Sequence, residues 1–235
     1  MGFFDTLAAC GAAVAGVTAR GLTPAAFELI DRHCLRAVND RKHVGLPDAA
    51  ALLLAQTDLP EPAAGAEAAA ILTEFEAAGA RDAVMSSDPV EAEALFAARR
   101  LVYPALVQRG DDLLVEDVCL PRERLAEMIA RIDAIASRYD VLIVTAAHAG
   151  DGNLHPVLVT PKGDNSARRR AQAAFDEIVD DAIRLGGTIS GEHGVGLLKR
   201  AGLSRELDPG ALALHHAVKQ AFDPHGIMNP GKKLA

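Results

Sequence analysis

The sequence predicts an α+β fold, with a mostly antiparallel sheet and helices packed on one face. Alanine-rich segments with apolar residues at helical spacing alternate with short apolar runs of strand length. Two such runs, 141–148 and 154–160, are joined by the turn Gly150-Asp151-Gly152-Asn153, which is typical of a hairpin. The element order is therefore αα-β-α-β-α-β-α-ββ-α-loop-α, which favours a hairpin-containing sheet covered by helices.

The N-terminal elements follow from periodicity and helix-start signals. Apolar residues at helical spacing predict a first helix over residues 4–20. Thr23-Pro24 resembles a capped helix start, so a second helix is expected through Leu35. The run ALLLA predicts a strand over 51–55, followed by an alanine-rich helix over 62–78 and a candidate strand over 82–86.

The C-terminal elements are predicted in the same way. Asp88-Pro89 opens a helix through Leu106, and DLLVEDVCL predicts a strand over 112–120. Pro121 begins the next helix, and the predicted hairpin follows it. A helix over 166–185, a glycine-rich loop and a last helix from Asp208-Pro209 to Phe222 complete the chain.

Composition and charge narrow the class of protein. The 235 residues carry 24 basic and 32 acidic side chains, a net charge of −8, which argues against a nucleic-acid partner. Three separated cysteines without a CxxC pair suit a reducing compartment. No run of eighteen apolar residues is present, so no membrane span is expected. Together these features predict a cytoplasmic protein.

Two histidines at the predicted hairpin are the main candidates for chemistry. If Asp151-Gly152 forms a two-residue turn, His148 pairs directly with His155, with Cβ atoms about 5 Å apart. Two imidazoles and a carboxylate with open positions suit Zn²⁺ or a similar catalytic ion. Glu192, in the glycine-rich segment SGEHGVG, is the candidate third ligand, and His193 beside it is a candidate general base.

Simpler interpretations of the same residues stay open. The histidines could be hydrogen-bonded surface residues, Asp151 and Asn153 could serve turn chemistry alone, and the glycine loop could be only a tight connection. The coincidence of two histidines in register with a Glu-His pair favours a functional site.

The chain resembles a known family along essentially its whole length. The segments that carry the resemblance are FFDTLAACGAAVAGV, GLTPAAFELID, VEDVCLPRERL, HAGDGNLHP, GGTISGEHGVGLLKR and FDPHGIMNPGKKL. They are similar to the C-terminal half of FAD-linked oxidases of the vanillyl-alcohol oxidase superfamily, in the group of D-lactate dehydrogenase, glycolate oxidase and D-2-hydroxyglutarate dehydrogenase. This resemblance implies a substrate-binding cap domain over about 1–205, with a helix and tail over 206–235 that pack on a flavin-binding domain.

The resemblance also implies roles for individual residues. His148, His155 and Glu192 would hold a divalent metal, commonly zinc, while His193 takes the proton of the substrate hydroxyl. Arg99 would pair with the substrate carboxylate, and Asn153 would contact the substrate or metal-bound groups. Asn229 matches a segment that packs against the flavin domain. For Arg99 the alternative is a solvated helix charge, and for Asn229 it is a turn residue.

The expected reaction is oxidation of a 2-hydroxy acid to a 2-keto acid, with hydride transfer to FAD. Val115 stands where hydroxyglutarate-type enzymes place a lysine, so a short monocarboxylate such as D-lactate or glycolate is the expected substrate. The FAD-binding domain is expected upstream or on a separate flavoprotein subunit, and the chain alone is expected to be inactive. Two other functions stay open, namely a non-catalytic metal-binding module and metal-dependent hydrolysis. The chain could also form a homodimer.

Overall fold

A seven-stranded sheet organises the computed structural model, which describes residues 1–43 and 45–234. Its strands are β1 (Gly2–Phe4), β2 (Ala26–Asp31), β3 (Ala51–Gln56), β4 (Asp112–Val115), β5 (Val118–Cys119), β6 (Leu142–His148) and β7 (Asn153–Thr160). Their order is β1-β3-β2-β6-β7-β4, and β5 also pairs with β7. Every pairing is antiparallel, so the predicted α+β class with an antiparallel sheet is confirmed.

The helices alternate with the strands along the chain. They are α1 (Leu7–Ala19), α2 (Arg32–Lys42), α3 (Ala63–Ala77), α4 (Pro89–Val107), α5 (Leu125–Tyr139), α6 (Asn165–Arg184), α7 (Arg200–Glu206) and α8 (Pro209–Phe222). Asp88 and Asp208 accept hydrogen bonds from the first turns of α4 and α8, so the two Asp-Pro helix starts are confirmed. Within the described ranges, no helix has the length and apolar character needed to cross a membrane.

The helices cover both faces of the sheet, which corrects the expectation of a single helical layer. On one face, α1, α3, α5 and α6 pack against Phe27, Leu53, Ile143, Leu154 and Leu158. On the other face, α2 and α4 pack against Ile30, Leu52, Val144, Ala146 and Val157. The sheet is therefore the middle layer, because residues of opposite parity along the same strands are buried on opposite faces.

Segment 23–31 is the clearest error of the sequence prediction. The expected helix is strand β2, and α2 begins only at Arg32, with Asp31 as its N-cap. Phe27 and Leu29 face one layer while Ile30 faces the other, a strand alternation that the Thr23-Pro24 helix signal obscured. Tertiary burial on both faces outweighs this local signal.

Smaller corrections concern short elements. The first predicted helix begins later, at Leu7, because Gly2–Phe4 pairs with β3 as strand β1. Residues 82–86 form no strand, and Val84 instead accepts a hydrogen bond from the Met1 amino group. The strand predicted over 112–120 is broken at Glu116-Asp117 into β4 and β5. Helix α7 was not predicted.

Candidate metal and substrate site

The β6–β7 hairpin places two histidines on the face covered by α2 and α4. The turn contains four residues, so the predicted two-residue turn is wrong: His148 pairs with Asn153, and His155 pairs with Ala146. The register differs from the prediction by two residues, which keeps both histidines on one face. Gly152 has φ +77°, and a Cβ there would lie 1.9 Å from the backbone oxygen of Leu120, so this turn requires glycine.

His148, His155 and Glu192 meet at the end of this face. The two imidazole centroids lie 5.0 Å apart. Glu192 Oε1 is 3.4 Å from His155 Nε2 and 3.9 Å from His148 Nε2. One donor atom from each of the three side chains lies within 4.8 Å of the other two. The three predicted metal ligands therefore converge, and their donor set is that of a three-ligand zinc site.

Glu28 connects this cluster to helix α4. It lies directly across from His148 on the neighbouring strand, and its Oε1 is 2.6 Å from His148 Nδ1. Its Oε2 accepts a hydrogen bond of 2.8 Å from Arg99 Nε. Arg99, predicted to bind a substrate carboxylate, thus reaches the site but is held by Glu28. A carboxylate on Nδ1 leaves His148 Nε2 directed at the shared donor cluster.

The two histidines have opposite pKa shifts. The hydrogen bond to Glu28 raises the pKa of His148. Burial, aided by repulsion from His148 and His193, lowers the pKa of His155 to about 4. Burial opposes ionisation of Glu28, but hydrogen bonds to His148 and Arg99 leave its pKa below the ordinary value. His155 is consequently neutral at pH 7, as a metal-binding imidazole must be.

A buried ion pair fixes the loop that carries Glu192 and His193. Asp117 Oδ2 accepts hydrogen bonds from the backbone N–H of Glu192, at 2.6 Å, and of His193, at 2.9 Å. Lys199 Nζ contacts Asp117 Oδ1 and lies 3.3 Å from Glu116 Oε2. Burial opposes ionisation of Asp117, yet Lys199 and the two N–H donors lower its pKa to about 2. The loop is thus held by hydrogen bonds to the ionised, buried carboxylate of Asp117.

His193 lies beside His148, His155 and Glu192, as predicted. These three side chains are called the ligand cluster below. The ring centroid of His193 is 5.1 Å from that of His155, and His193 Nε2 is 3.8 Å from Glu192 Oε1. Its Nδ1 lies 3.7 Å from Asp117 Oδ1, so the Asp117 carboxylate faces one side of the ring. About one third of its side chain is exposed, which leaves the ring accessible from the cavity.

Two predicted residues lie outside the cavity. Asn153 is buried beneath the glycine loop, and a Cβ on Gly191 would lie 2.3 Å from Asn153 Oδ1. That oxygen lacks a hydrogen-bond partner among the described residues. Asn229 lies in the exposed tail, where its backbone oxygen accepts a hydrogen bond from Lys232. The structure therefore brings neither side chain to the cavity wall.

A cavity of about 220 Å³ opens beside the ligand cluster. Its polar end consists of Arg99, His148, His155, Glu192 and His193. Its remaining wall comes from α2, α4 and the sheet, and is formed by Cys34, Val102, Tyr103, Leu106, Val115, Val144, Ala146 and Val157. The predicted site is thus a pocket with an apolar wall and with charged and polar side chains at one end, the common form of a small-molecule site.

Sequence reasoning missed Glu28, Asp117 and Lys199. Glu28 was hidden because its segment was assigned to a helix, although a carboxylate in an alternating apolar strand is itself a signal. Asp117 and Lys199 stand in the VEDVCL and GLLKR segments, but no spacing rule relates positions 82 residues apart. Only the fold reveals this pair.

Comparison with solved structures shows the same fold. The chain superposes on 4-ethylphenol oxidase from Gulosibacter chungangensis with a TM-score of 0.64 at 14% identity, covering 98% of this chain and 52% of that one. For p-cresol methylhydroxylase the TM-score is 0.62 at 15% identity, covering 98% and 51%.

Curated relatives are closer in sequence. The glycolate oxidase subunit GlcD of Bacillus subtilis (strain 168) is 36% identical over 236 residues, covering 100% of this chain and 50% of that protein. GlcD of Escherichia coli (strain K12) is 32% identical, covering 98% and 46%, and the D-lactate dehydrogenase of Archaeoglobus fulgidus is 30% identical, covering 91% and 46%. The chain spans about half the length of these relatives. Residues 1–233 match the family described as FAD linked oxidases, C-terminal domain, and the chain belongs to that family.

Proposed function

We propose that this chain is the substrate- and metal-binding domain of a flavin-dependent 2-hydroxy-acid dehydrogenase. The reaction converts a short 2-hydroxy acid, such as D-lactate or glycolate, to the 2-keto acid. The observation that carries the proposal is the convergence of His148, His155 and Glu192 donor atoms within 4.8 Å, with His193 beside them, in a chain of this family.

The donor set fits a divalent metal, with zinc as the proposed ion. Burial keeps His155 neutral, and the Glu28 contact at His148 Nδ1 leaves Nε2 free to bind. When bound, the metal would polarise the substrate hydroxyl and lower its pKa. FAD, held mainly by a domain outside this chain, would accept the hydride.

The chain's own residues bind and deprotonate the substrate. His193 takes the hydroxyl proton, because it is the accessible imidazole beside the ligand cluster. Arg99 binds the substrate carboxylate, since among its contacts with described residues only Nε is engaged, by Glu28. Asn153 supports this end of the site from beneath the loop. With FAD bound, the α-hydride would pass to the flavin while His193 holds the proton from the hydroxyl group.

The partner surfaces of the domain lie at its C-terminus. We propose that the helix and tail over 206–235, including Asn229, pack on the FAD-binding domain. Large apolar side chains there are exposed, including Val218, Phe222, Ile227 and Met228. The glycolate oxidase relatives are named as subunits, which supports a further protein partner in the assembly.

Metal content and ligand binding test this function. We expect about one zinc ion per chain by elemental analysis after reconstitution, and loss of that zinc in the His148→Ala, His155→Ala double variant. The His216→Ala, His225→Ala variant removes two exposed histidines and serves as the control. Calorimetry should show zinc-dependent binding of D-lactate or glycolate, and weaker binding of propanoate, which lacks the hydroxyl group.

Equal zinc in the native chain and the His148, His155 variant would exclude this metal site. Equal binding of D-lactate and propanoate would instead favour a carboxylate-binding module without hydroxyl recognition, which is the non-catalytic alternative.

A further inference from the structure

The cavity beside the ligand cluster is elongated along helix α4. Four residues of α4 line it, namely Arg99, Val102, Tyr103 and Leu106, at spacings of three, one and three residues that place them on one helix face. Arg99 lies at the polar end, and Leu106 is seven positions further along the helix, a distance of about 10 Å at the rise of an α-helix. The cavity therefore extends well beyond the ligand cluster.

The opposite wall shows the same change from polar to apolar. On β7, His155 is followed on the same face by Val157, about 7 Å further along the strand. Val157 pairs with Val144 on β6 and with Val115 on β4, so three valines form one row across the sheet. This row lies on the side of the histidines away from the hairpin turn.

The far end of the cavity carries no charged side chain among the described residues. Cys34, Val102, Leu106, Val144 and Val157 are all buried, while Tyr103 and Val115 form a partly exposed rim. A second carboxylate or ammonium group placed at this end would lose hydration without gaining a partner. The wall therefore selects against charged substrate side chains and favours aliphatic ones.

The volume sets the size of the favoured group. The cavity of about 220 Å³ is larger than the engineered apolar cavity of about 150 Å³ that binds benzene. Resting on the proposed function, we propose that the preferred substrate is a 2-hydroxy acid with an uncharged, branched side chain of about four carbons. Its carboxylate and hydroxyl occupy the polar end, and its side chain lies between α4 and the valine row.

A homologous series of ligands tests this subsite. Dissociation constants are measured calorimetrically on the zinc-loaded chain for glycolate, D-lactate, D-2-hydroxybutanoate, D-2-hydroxy-4-methylpentanoate and D-2-hydroxyglutarate. Each methylene transferred from water to the apolar wall improves affinity by about fourfold. We expect D-2-hydroxy-4-methylpentanoate to bind tenfold or more tightly than D-lactate, and D-2-hydroxyglutarate to bind more weakly than the branched acid.

Two matched valines provide the variants. Val157 lines the cavity and Val159 lies two residues further on the same strand face outside it, and the two are 7% and 6% exposed. Val157→Leu should reduce the preference for the branched acid over D-lactate at least threefold, whereas Val159→Leu should leave that ratio unchanged.

The outcomes separate this inference from the proposed function. Tighter binding of glycolate or D-lactate than of the branched acid would overturn the apolar subsite and leave the 2-hydroxy-acid function standing. An equal loss of preference in both valine variants would also overturn the subsite. Absence of binding by every 2-hydroxy acid in the series would overturn the proposed function together with the subsite.

Discussion

Glu28 contacts two side chains of the candidate site at once. One carboxylate oxygen contacts His148 Nδ1 at 2.6 Å, and the other accepts a hydrogen bond from Arg99 Nε at 2.8 Å. The contact with His148 fixes which ring nitrogen faces the ligand cluster, and the contact with Arg99 directs the guanidinium to the same end of the cavity. A single carboxylate thereby positions both the proposed metal ligand His148 and the proposed carboxylate-binding residue Arg99.

Replacing Glu28 should weaken metal binding without unfolding the protein. Glu28→Gln keeps the shape of the side chain but removes its charge, so the orientation of His148 is less strongly enforced. We expect zinc affinity to fall by about 10- to 100-fold, as is typical for the loss of a ligand-supporting carboxylate. Competition titration with a zinc-binding dye measures this change.

The control for this variant is Glu93→Gln, which removes an exposed carboxylate paired with Arg100 on α4. It should bind zinc as the native chain does. Unchanged zinc affinity in Glu28→Gln would show that His148 is positioned by strand packing alone.

At the scale of elements, the β2–α2 junction depends on Asp31. Its Oδ1 accepts a hydrogen bond from the backbone N–H of Cys34, which caps α2. Its Oδ2 accepts a hydrogen bond from the backbone N–H of Thr145 on β6, and both N···O distances are 2.7 Å. The side chain is buried, and burial outweighs these hydrogen bonds, so the pKa of Asp31 rises from 3.8 to about 6. The junction is thus sensitive to pH.

The sign of this effect follows from the protons bound in each state. Between about pH 4 and 6 the folded protein holds a proton at Asp31 that the unfolded chain has released, so raising the pH destabilises the fold. We expect the free energy of unfolding, measured by urea titration relative to Asp31→Asn, to fall by on the order of 3 kcal/mol from pH 4 to pH 7. Parallel pH profiles of the two proteins would contradict this prediction.

The same junction shows where sequence reasoning succeeds and fails. Helices α4 and α8 were predicted because their Asp-Pro starts are local signals. Strand β2 was missed because the Thr23-Pro24 helix-start signal obscured the strand alternation of Phe27, Leu29 and Ile30. The hairpin strands were predicted correctly, but their register was not, because the connecting turn contains four residues and not two.

The candidate site was also predicted only in part from the sequence. His148, His155, Glu192 and His193 come together as expected because the motifs that carry them lie at a hairpin and in one adjoining loop. The supporting residues were not predicted, because Glu28 is 120 residues from His148, and Lys199 is 82 residues from Asp117. Contacts at such separations are products of the sheet order and have no signature in sequence spacing.

At the scale of the whole molecule, the two helical layers leave α8 uncovered. None of its residues is buried, and Leu214, Val218 and Phe222 follow one another at intervals of four on one helix face. Phe222 is 81% exposed. An apolar face of this kind indicates a protein interface, and the FAD-binding domain is the proposed partner.

The proposed interface predicts that Phe222 matters for association and not for folding. Phe222→Ser should change the free energy of unfolding of this chain by less than about 0.5 kcal/mol, whereas the core substitution Phe175→Ser should be strongly destabilising. Sedimentation velocity with the separately produced FAD-binding domain should show weakened association for Phe222→Ser. Intact association with that domain would place the interface elsewhere, and loss of self-association alone would identify the surface as a homodimer interface.

The close packing of Gly191 on Asn153 constrains how this protein can evolve. A Cβ at position 191 would lie 2.3 Å from Asn153 Oδ1, so any larger residue at this position collides with the Asn153 side chain. A smaller residue at 153 would relieve the collision but would leave a void under the loop that carries Glu192 and His193. Because either substitution alone should destabilise the loop, positions 191 and 153 are expected to mutate together. Related proteins that keep Gly191 should therefore keep Asn153.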